Sequence, residues 1–211
     1  MMDLGRGVPL RKALVGLWIV GAAAALATPV GAQSQEQPQA QLQASADAFM
    51  TEIGDGMRAI HTRANGDAAQ VVAGCRDLLG RVLNLETMAR AVTEGAWERM
   101  SVAQREAYQA AFADRLASEC ARALADYKGE PIRLAGTRST PDGDKLATLR
   151  VGAEDAKMIA WRLRDAGSDT WAAVDVIWEG HGAIAKARAE FAAGLQAANG
   201  DIDALIGHMR R

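Results

Sequence analysis

The sequence predicts an α+β fold: helices, then a four-stranded antiparallel sheet, then two closing helices. Three observations predict it. Apolar residues recur at helical spacing from about residue 47 to 129, the period shortens toward two between 131 and 178, and helical spacing returns after 183. The connections between successive strands are short, which leaves no room for crossover helices and implies an antiparallel meander.

The helical half reads in four pieces. Phe49, Ile53, Met57 and Ile60 mark one apolar face. After the Asn65-Gly66 turn, Val71, Val72, Cys75, Leu78, Leu79 and Val82 mark a second. Leu85, Met88, Ala89 and Val92 mark a short third helix that Gly95 should stop. The fourth begins at Ser101-x-x-Gln104, a pattern in which each side chain covers an orphan backbone N–H of the first turn. Tyr108, Phe112, Leu116, Cys120, Leu124 and Tyr127 form its stripe, and Gly129 and Pro131 end it.

The strands read as PIRLAGTRS, KLATLRV, MIAWRLRD and TWAAVDVIWE, separated by the turn compositions TPDGD, GAEDA and AGSD. In the third, Ile159, Trp161 and Leu163 share a face with Arg162 and Arg164 opposite, so one side should be wet. In the fourth, strict alternation puts Ala172, Val174, Val176 and Trp178 on one face. It puts Trp171, Ala173, Asp175 and Ile177 on the other, and both faces are mostly apolar. The closing helices carry Ile184, Ala187, Phe191, Leu195 and Ala198, then, past Asn199-Gly200, Ile202, Leu205, Ile206 and Met209.

Residues 1–32 combine a basic start (Arg6, Arg11, Lys12), the apolar run ALVGLWIVGAAAALA and a small-residue finish at PVGA. These are the parts of a secretory signal, with cleavage expected after Ala32. The apolar run is shorter than the ~20 residues a membrane span needs. Residues 33–46, polar and Gln-rich, are expected to be a disordered leader. The folded domain is then 47–211, and the expected location is an oxidising compartment reached by secretion. A formal charge of −2 with no internal basic cluster disfavours a nucleic-acid partner. Cys75 and Cys120 are the two cysteines. In an oxidising compartment they either pair, worth about 4 kcal/mol in the chain-entropy model, or stand as separate buried thiols.

The chemical inventory is thin. His61, His181 and His208 have no second ligand at metal spacing, and no nucleophile elbow, phosphate loop or dinucleotide fingerprint occurs. Glu179 and His181 sit two apart beside glycines, an acid–base pair on a strand or a solvated polar turn. Asp175 lies within an apolar strand and needs a partner. Arg188, one turn into the next helix, is the candidate for a structural ion pair. A catalytic carboxylate in an apolar pocket, as in ketosteroid isomerase, is the alternative, and only Tyr108 and Tyr127 offer phenol donors beside it.

The C-terminal stretch TWAAVDVIWEGHGAIAKARAEFAAGLQAANGDIDALIGHMRR carries Trp171, Asp175-Val176, Glu179-Gly180, Arg188, Phe191, Gly200-Asp201 and Leu205 in a characteristic order. Upstream, GAWERMSVAQREAYQAAFADRLASECARALADYKGE carries a Gly-x-x-Trp, then Ser-x-x-Gln-Arg, then a helix ending in Tyr. Together these resemble the MlaC, or toluene-tolerance, family of periplasmic phospholipid-binding proteins over about residues 47–211. Two places depart from its pattern: His181-Gly182 stands where Val-Ser is usual, and Ala187 where a large residue often precedes the arginine.

The resemblance implies a curved antiparallel sheet wrapped by helices, as in nuclear transport factor two, with phospholipid acyl chains held between sheet and helices. It also implies carriage between an outer-membrane lipoprotein–porin complex and an inner-membrane ABC transporter with an MCE-domain subunit. No cofactor, metal or covalent chemistry is implied; the phospholipid is cargo. Elementary energetics agree, because a ~16-carbon chain left in water costs on the order of 12 kcal/mol, so a carrier must enclose it. Trp97, Phe112, Leu116, Leu149, Trp161, Val174, Val176 and Phe191 are the candidate pocket walls, with ordinary core packing the alternative for each. A carrier of hopanoid or another polycyclic lipid is a related expectation.

Overall fold

A computed structural model describes residues 33–168 and 170–210, with side chains from residue 41. The expected secretory signal at 1–32 lies outside the described residues. Helices α1 (Gln33–Ala64), α2 (Ala68–Val82) and α3 (Leu85–Thr93) lead through a 3-10 turn (Glu94–Arg99) to α4 (Val102–Ala125). Strands β1 (Ile132–Ser139), β2 (Lys145–Val151), β3 (Lys157–Gly167), β4 (Thr170–Trp178) and β5 (His181–Gly182) follow, then α5 (Ala183–Ala197) and α6 (Ile202–Met209). The α+β class and the antiparallel meander are as predicted, with all strands in sequence order.

Three expectations need correction. The stretch expected as a disordered leader is helical: α1 begins at Gln33, Ala46 is fully buried, and the Ser45 hydroxyl accepts a hydrogen bond from the Trp171 indole at 2.9 Å. A Gln-rich composition did not prevent helix, because the C-terminal part of this segment has a core to pack on. Gly95 does not stop the chain; α3 passes at Thr93 into the 3-10 turn through Glu94, which has φ +46°. The sheet has five strands rather than four. Glu179 (φ +49°) and Gly180 (φ +80°) make a two-residue hairpin turn, and His181-Gly182 pair back onto Ile177 and Trp178.

Local signals fix the helix starts. Asp67 accepts from the N–H groups of Ala69 and Gln70, Asn84 from Thr87 and Asp201 from Ala204. Ser101 and Gln104 form the predicted reciprocal cap of α4. A disulfide joins Cys75 to Cys120, tying α2 to α4 with a Cα–Cα distance of 6.0 Å.

The core lies between the helices and one sheet face. Ala147, Leu149, Ile159, Trp161 and Leu163 are all buried on that inner face. Across from them Met50, Ile53 and Ile60 of α1, Leu78 and Val82 of α2, and Phe112 of α4 are buried in the same cluster. In β4 an irregularity changes the predicted faces. Arg162 pairs with Asp175 and Leu163 with Ala173, so Val174 is an extra residue. Trp171 and Ala173 therefore share the inner face with Val176 and Trp178, which simple alternation had put on the opposite one. The bulge is why both faces of this strand read as apolar.

Candidate functional site

At one end of the core the seam between sheet and helices opens as a groove of about 100 Å³. Its apolar lining comes from Met57 on α1, Leu124 at the end of α4, and Ile132, Val151, Ile159 and Trp178 on the sheet. Polar groups stand only at its rim: Asp126, Glu130, Asp155 and Lys157. This distribution follows from the sequence. Ile159 and Trp178 are cross-strand neighbours on the inner face, and Leu149 sits on the other side of Ile159 in the same row. The charged residues occupy the chain reversals after α4 and between β2 and β3.

Two rim contacts shape the mouth. Tyr127 donates its hydroxyl to the Glu130 carbonyl at 2.5 Å, and its ring meets His61 edge-on at 4.9 Å between centroids. Burial raises the Tyr127 pKa above the ordinary phenol value, so the hydroxyl remains a donor at neutral pH. The Glu130 carboxylate accepts the Lys128 N–H at 2.7 Å, which holds its pKa below the usual range. Opposite, the Lys157 ammonium lies 5.7 Å from the centre of the Trp178 ring, within cation–π range.

None of the eight predicted wall residues lines this groove. The structure instead places them in the core behind it. Leu149 (1% exposed) and Trp161 (4%) stand on the inner face, and Val176 is half-buried there. Val174 is the buried residue of the bulge. Phe112 and Leu116 are buried on α4, and Phe191 of α5 meets the Tyr108 ring edge-on while Tyr108 stacks with Phe112. Trp97 is buried in the 3-10 turn with the Arg90 and Arg105 guanidiniums 6.0 and 5.4 Å from its ring centre. The indole N–H groups of Trp97 and Trp161 have no protein partner, a costly situation in an apolar interior.

The groove residues that sequence reading missed as site residues are Met57, Leu124, Tyr127, Ile132, Ile159 and Trp178. Three had been placed on apolar helix faces and three on strands, but pattern alone could not say which end of the core opens. The available signal was position: Tyr127 and Trp178 are amphipathic aromatics at the last turn or last residue of an element, where a ring can line a mouth and still reach water.

The acid–base candidates do not converge. Asp175 Oδ1 accepts the backbone N–H of Val176 at 2.8 Å and of Ile184 at 3.1 Å. Ile184 is in the first turn of α5, whose N-cap, Gly182, has no side chain to offer. Asp175 therefore caps α5 from the neighbouring strand. A Cβ on Gly182 would lie 2.9 Å from Asp175 Oδ2, so glycine is needed for that approach. The expected Asp175–Arg188 pair is not formed. Arg188 instead reaches α3, donating to the Ala91 carbonyl at 2.9 and 3.2 Å and pairing with Glu94 at 2.8 Å. The helical rise carries its side chain to the α3 side of α5, away from the strand. His181 is exposed, with Nδ1 3.0 Å from the Glu179 carbonyl oxygen, as a polar turn would have it.

Among the described residues no cluster of His, Cys, Asp and Glu has the arrangement to hold a metal, and no helix is long and apolar enough to cross a membrane. A family model described as MlaC protein matches residues 34–211. The fold is similar to that of a phospholipid-binding protein from Ralstonia solanacearum, solved in complex with a phospholipid. The two are 16% identical with a TM-score of 0.61, and the alignment covers 82% of this chain and 94% of that one. No curated protein matches the sequence significantly.

Proposed function

Since the chain belongs to the MlaC family, we propose that it is a periplasmic carrier that encloses phospholipid acyl chains between sheet and helices. The observation that carries this reading is the groove: an apolar mouth with charges only at its rim, continuous with a core built of aliphatic and aromatic side chains. Acyl chains would enter past Trp178 and Ile159 and leave the headgroup at the rim, where Lys157 and the backbone turns meet water. The most suggestive carboxylate among the described residues, Asp175, is committed to capping α5, which favours a binding and transport role over turnover. In this proposal the partners are an outer-membrane lipoprotein–porin complex and an inner-membrane ABC transporter with an MCE-domain subunit.

Mass spectrometry of organic extracts of the protein purified from a periplasm tests the carrier. Phospholipid at a stoichiometric level is the expected result, and the same extract reports a polycyclic lipid if that is the cargo. Protein that is reproducibly lipid-free, and takes up none from vesicles, refutes the reading. Trp178→Glu places a charge at the mouth of the groove at a half-buried position, so it should cut co-purified lipid severalfold while the protein still folds.

A further inference from the structure

The outer face of the sheet carries an arrangement that neither the core nor the groove uses. The strand registers lay it out in rows across β1, β2 and β3. Arg133, Arg150 and Met158 form one row, Gly136, Thr148 and Ala160 the next, and Arg138, Leu146 and Arg162 the third. Ile177 of β4 extends the middle row. An apolar strip thus runs between the Arg133–Arg150 row and a row in which Arg138 is exposed, Arg162 is paired with Asp142 and Asp144, and Asp175 follows on β4. Thr148, Met158, Ala160 and Ile177 line a shallow open depression there, and Lys157 borders both this depression and the groove mouth on the other side.

Of these arginines Arg162 is paired with Asp142 and Asp144 and Arg150 donates to the Ala153 carbonyl, but Arg133, Arg138 and Arg150 have no carboxylate to offset them among the described residues. Arg133 and Arg150 are directly opposed across β1 and β2, both exposed, where like charges repel. Of the nearby acids, Asp144 is committed to Arg162 and Arg164, Asp142 to Arg162 and Asp175 to backbone N–H groups, while Glu179 borders the depression and Glu154 and Asp155 stand in the adjoining turn. A surface that holds uncompensated arginines against each other is complementary to an external array of anions.

We propose that this outer face is a docking surface for an anionic phospholipid bilayer, which the protein meets with Arg133, Arg138 and Arg150 against lipid phosphates. The position favours a membrane over an acidic protein: Lys157 joins the basic face to the groove mouth, so a bilayer engaged there lies beside the opening through which its lipids would pass. The sole large exposed apolar side chain on the face is Met158, 46% exposed. The contact is therefore electrostatic and superficial rather than inserted, reversible and salt-sensitive. The proposal rests on the carrier reading for its purpose but not for its measurement.

Co-sedimentation of the purified protein with vesicles of phosphatidylcholine and phosphatidylglycerol, mixed two to one, tests it. The protein should bind these vesicles at low salt, bind pure phosphatidylcholine vesicles far less, and release at high salt. Arg133→Glu with Arg150→Glu should weaken binding by at least about tenfold, whereas Arg63→Glu, an exposed change on α1, should not. Arg133→Gln with Arg150→Gln relieves the repulsion without adding acids, so it should preserve the melting temperature and still weaken binding. No binding at low salt, binding indifferent to these arginines, or arginine-dependent binding only to soluble acidic proteins overturns the proposal. The lipid content of the same preparations is read separately. Arginine-dependent vesicle binding by a protein that never carries lipid would sink the carrier reading and leave the docking surface standing, and the converse result would do the reverse.

Discussion

Asp175 shows how one carboxylate can be placed by the backbone it serves. Its acceptor bonds to Val176 and Ile184 hold the end of β4 and the first turn of α5 in one geometry, and Gly182 makes room for it. Replacing Asp175 with Ala should cost about 1–2 kcal/mol, the value of a lost helix cap, read as a lower midpoint in urea unfolding. Gly182→Ala should destabilise by a similar order through the 2.9 Å approach, although it adds only a methyl group. Asp144 is the second residue with a sharp signature. It is 4% exposed and bridges Arg162 and Arg164 at 2.6–3.0 Å. The hydrogen bond from Arg164 first, with Arg162 in support, holds its pKa below the ordinary carboxylate value despite burial. Because the folded pKa is depressed, its stabilisation is complete above the unfolded value of about 3.9 and is lost as pH falls through the folded one. Asp144→Asn should therefore lower stability near pH 7, and the gap to the parent should narrow steadily as unfolding is measured down toward about pH 2.

Among the elements, α2 and α4 are the pair joined covalently. Their disulfide spans a sequence separation of 45, which gives about 4 kcal/mol in the chain-entropy model. Cys75→Ala with Cys120→Ala, or reduction, should lower the melting temperature by on the order of 10 °C. A drop of only a degree or two would mean the packing of α2 on α4 already constrains the unfolded chain. α4 is tied to α5 by charge as well. Glu119 accepts from Lys186 and Arg115, and these partners hold its pKa low although burial alone would raise it. Arg115 in turn pairs with Glu190. Elements with periodic apolar faces and capping residues were legible in the sequence, as Ser101 and Gln104 of α4 show. What was not legible depended on partners distant in the chain. Helix before residue 47 required Trp171 to donate to Ser45, the fifth strand required Ile177 to offer an open edge, and the bulge at Val174 required the register of β3. Each is a decision made by tertiary contact rather than by local propensity.

For the whole molecule, the fold class and the family could be read from motif order, while the site could not be read to the residue. The eight predicted wall residues are apolar and seven of them are fully buried, so the pattern found the core correctly. It could not find the opening, because Leu149 and Ile159 share a period, a face and a row, and only the placement of the helices decides that Ile159 meets the groove. The groove's small volume sets a rate law. At about 100 Å³ it is smaller than the ~150 Å³ cavity that admits a single benzene, so under the proposed function an acyl chain would enter only a conformer in which helices and sheet have moved apart. Loading is then a first-order opening followed by fast capture. With increasing donor vesicles, uptake measured by a fluorescent phospholipid should reach a plateau whose height is the opening rate, common to lipids of different chain length. Uptake that keeps rising in proportion to donor, with no ceiling, would mean that the open form is the resting one.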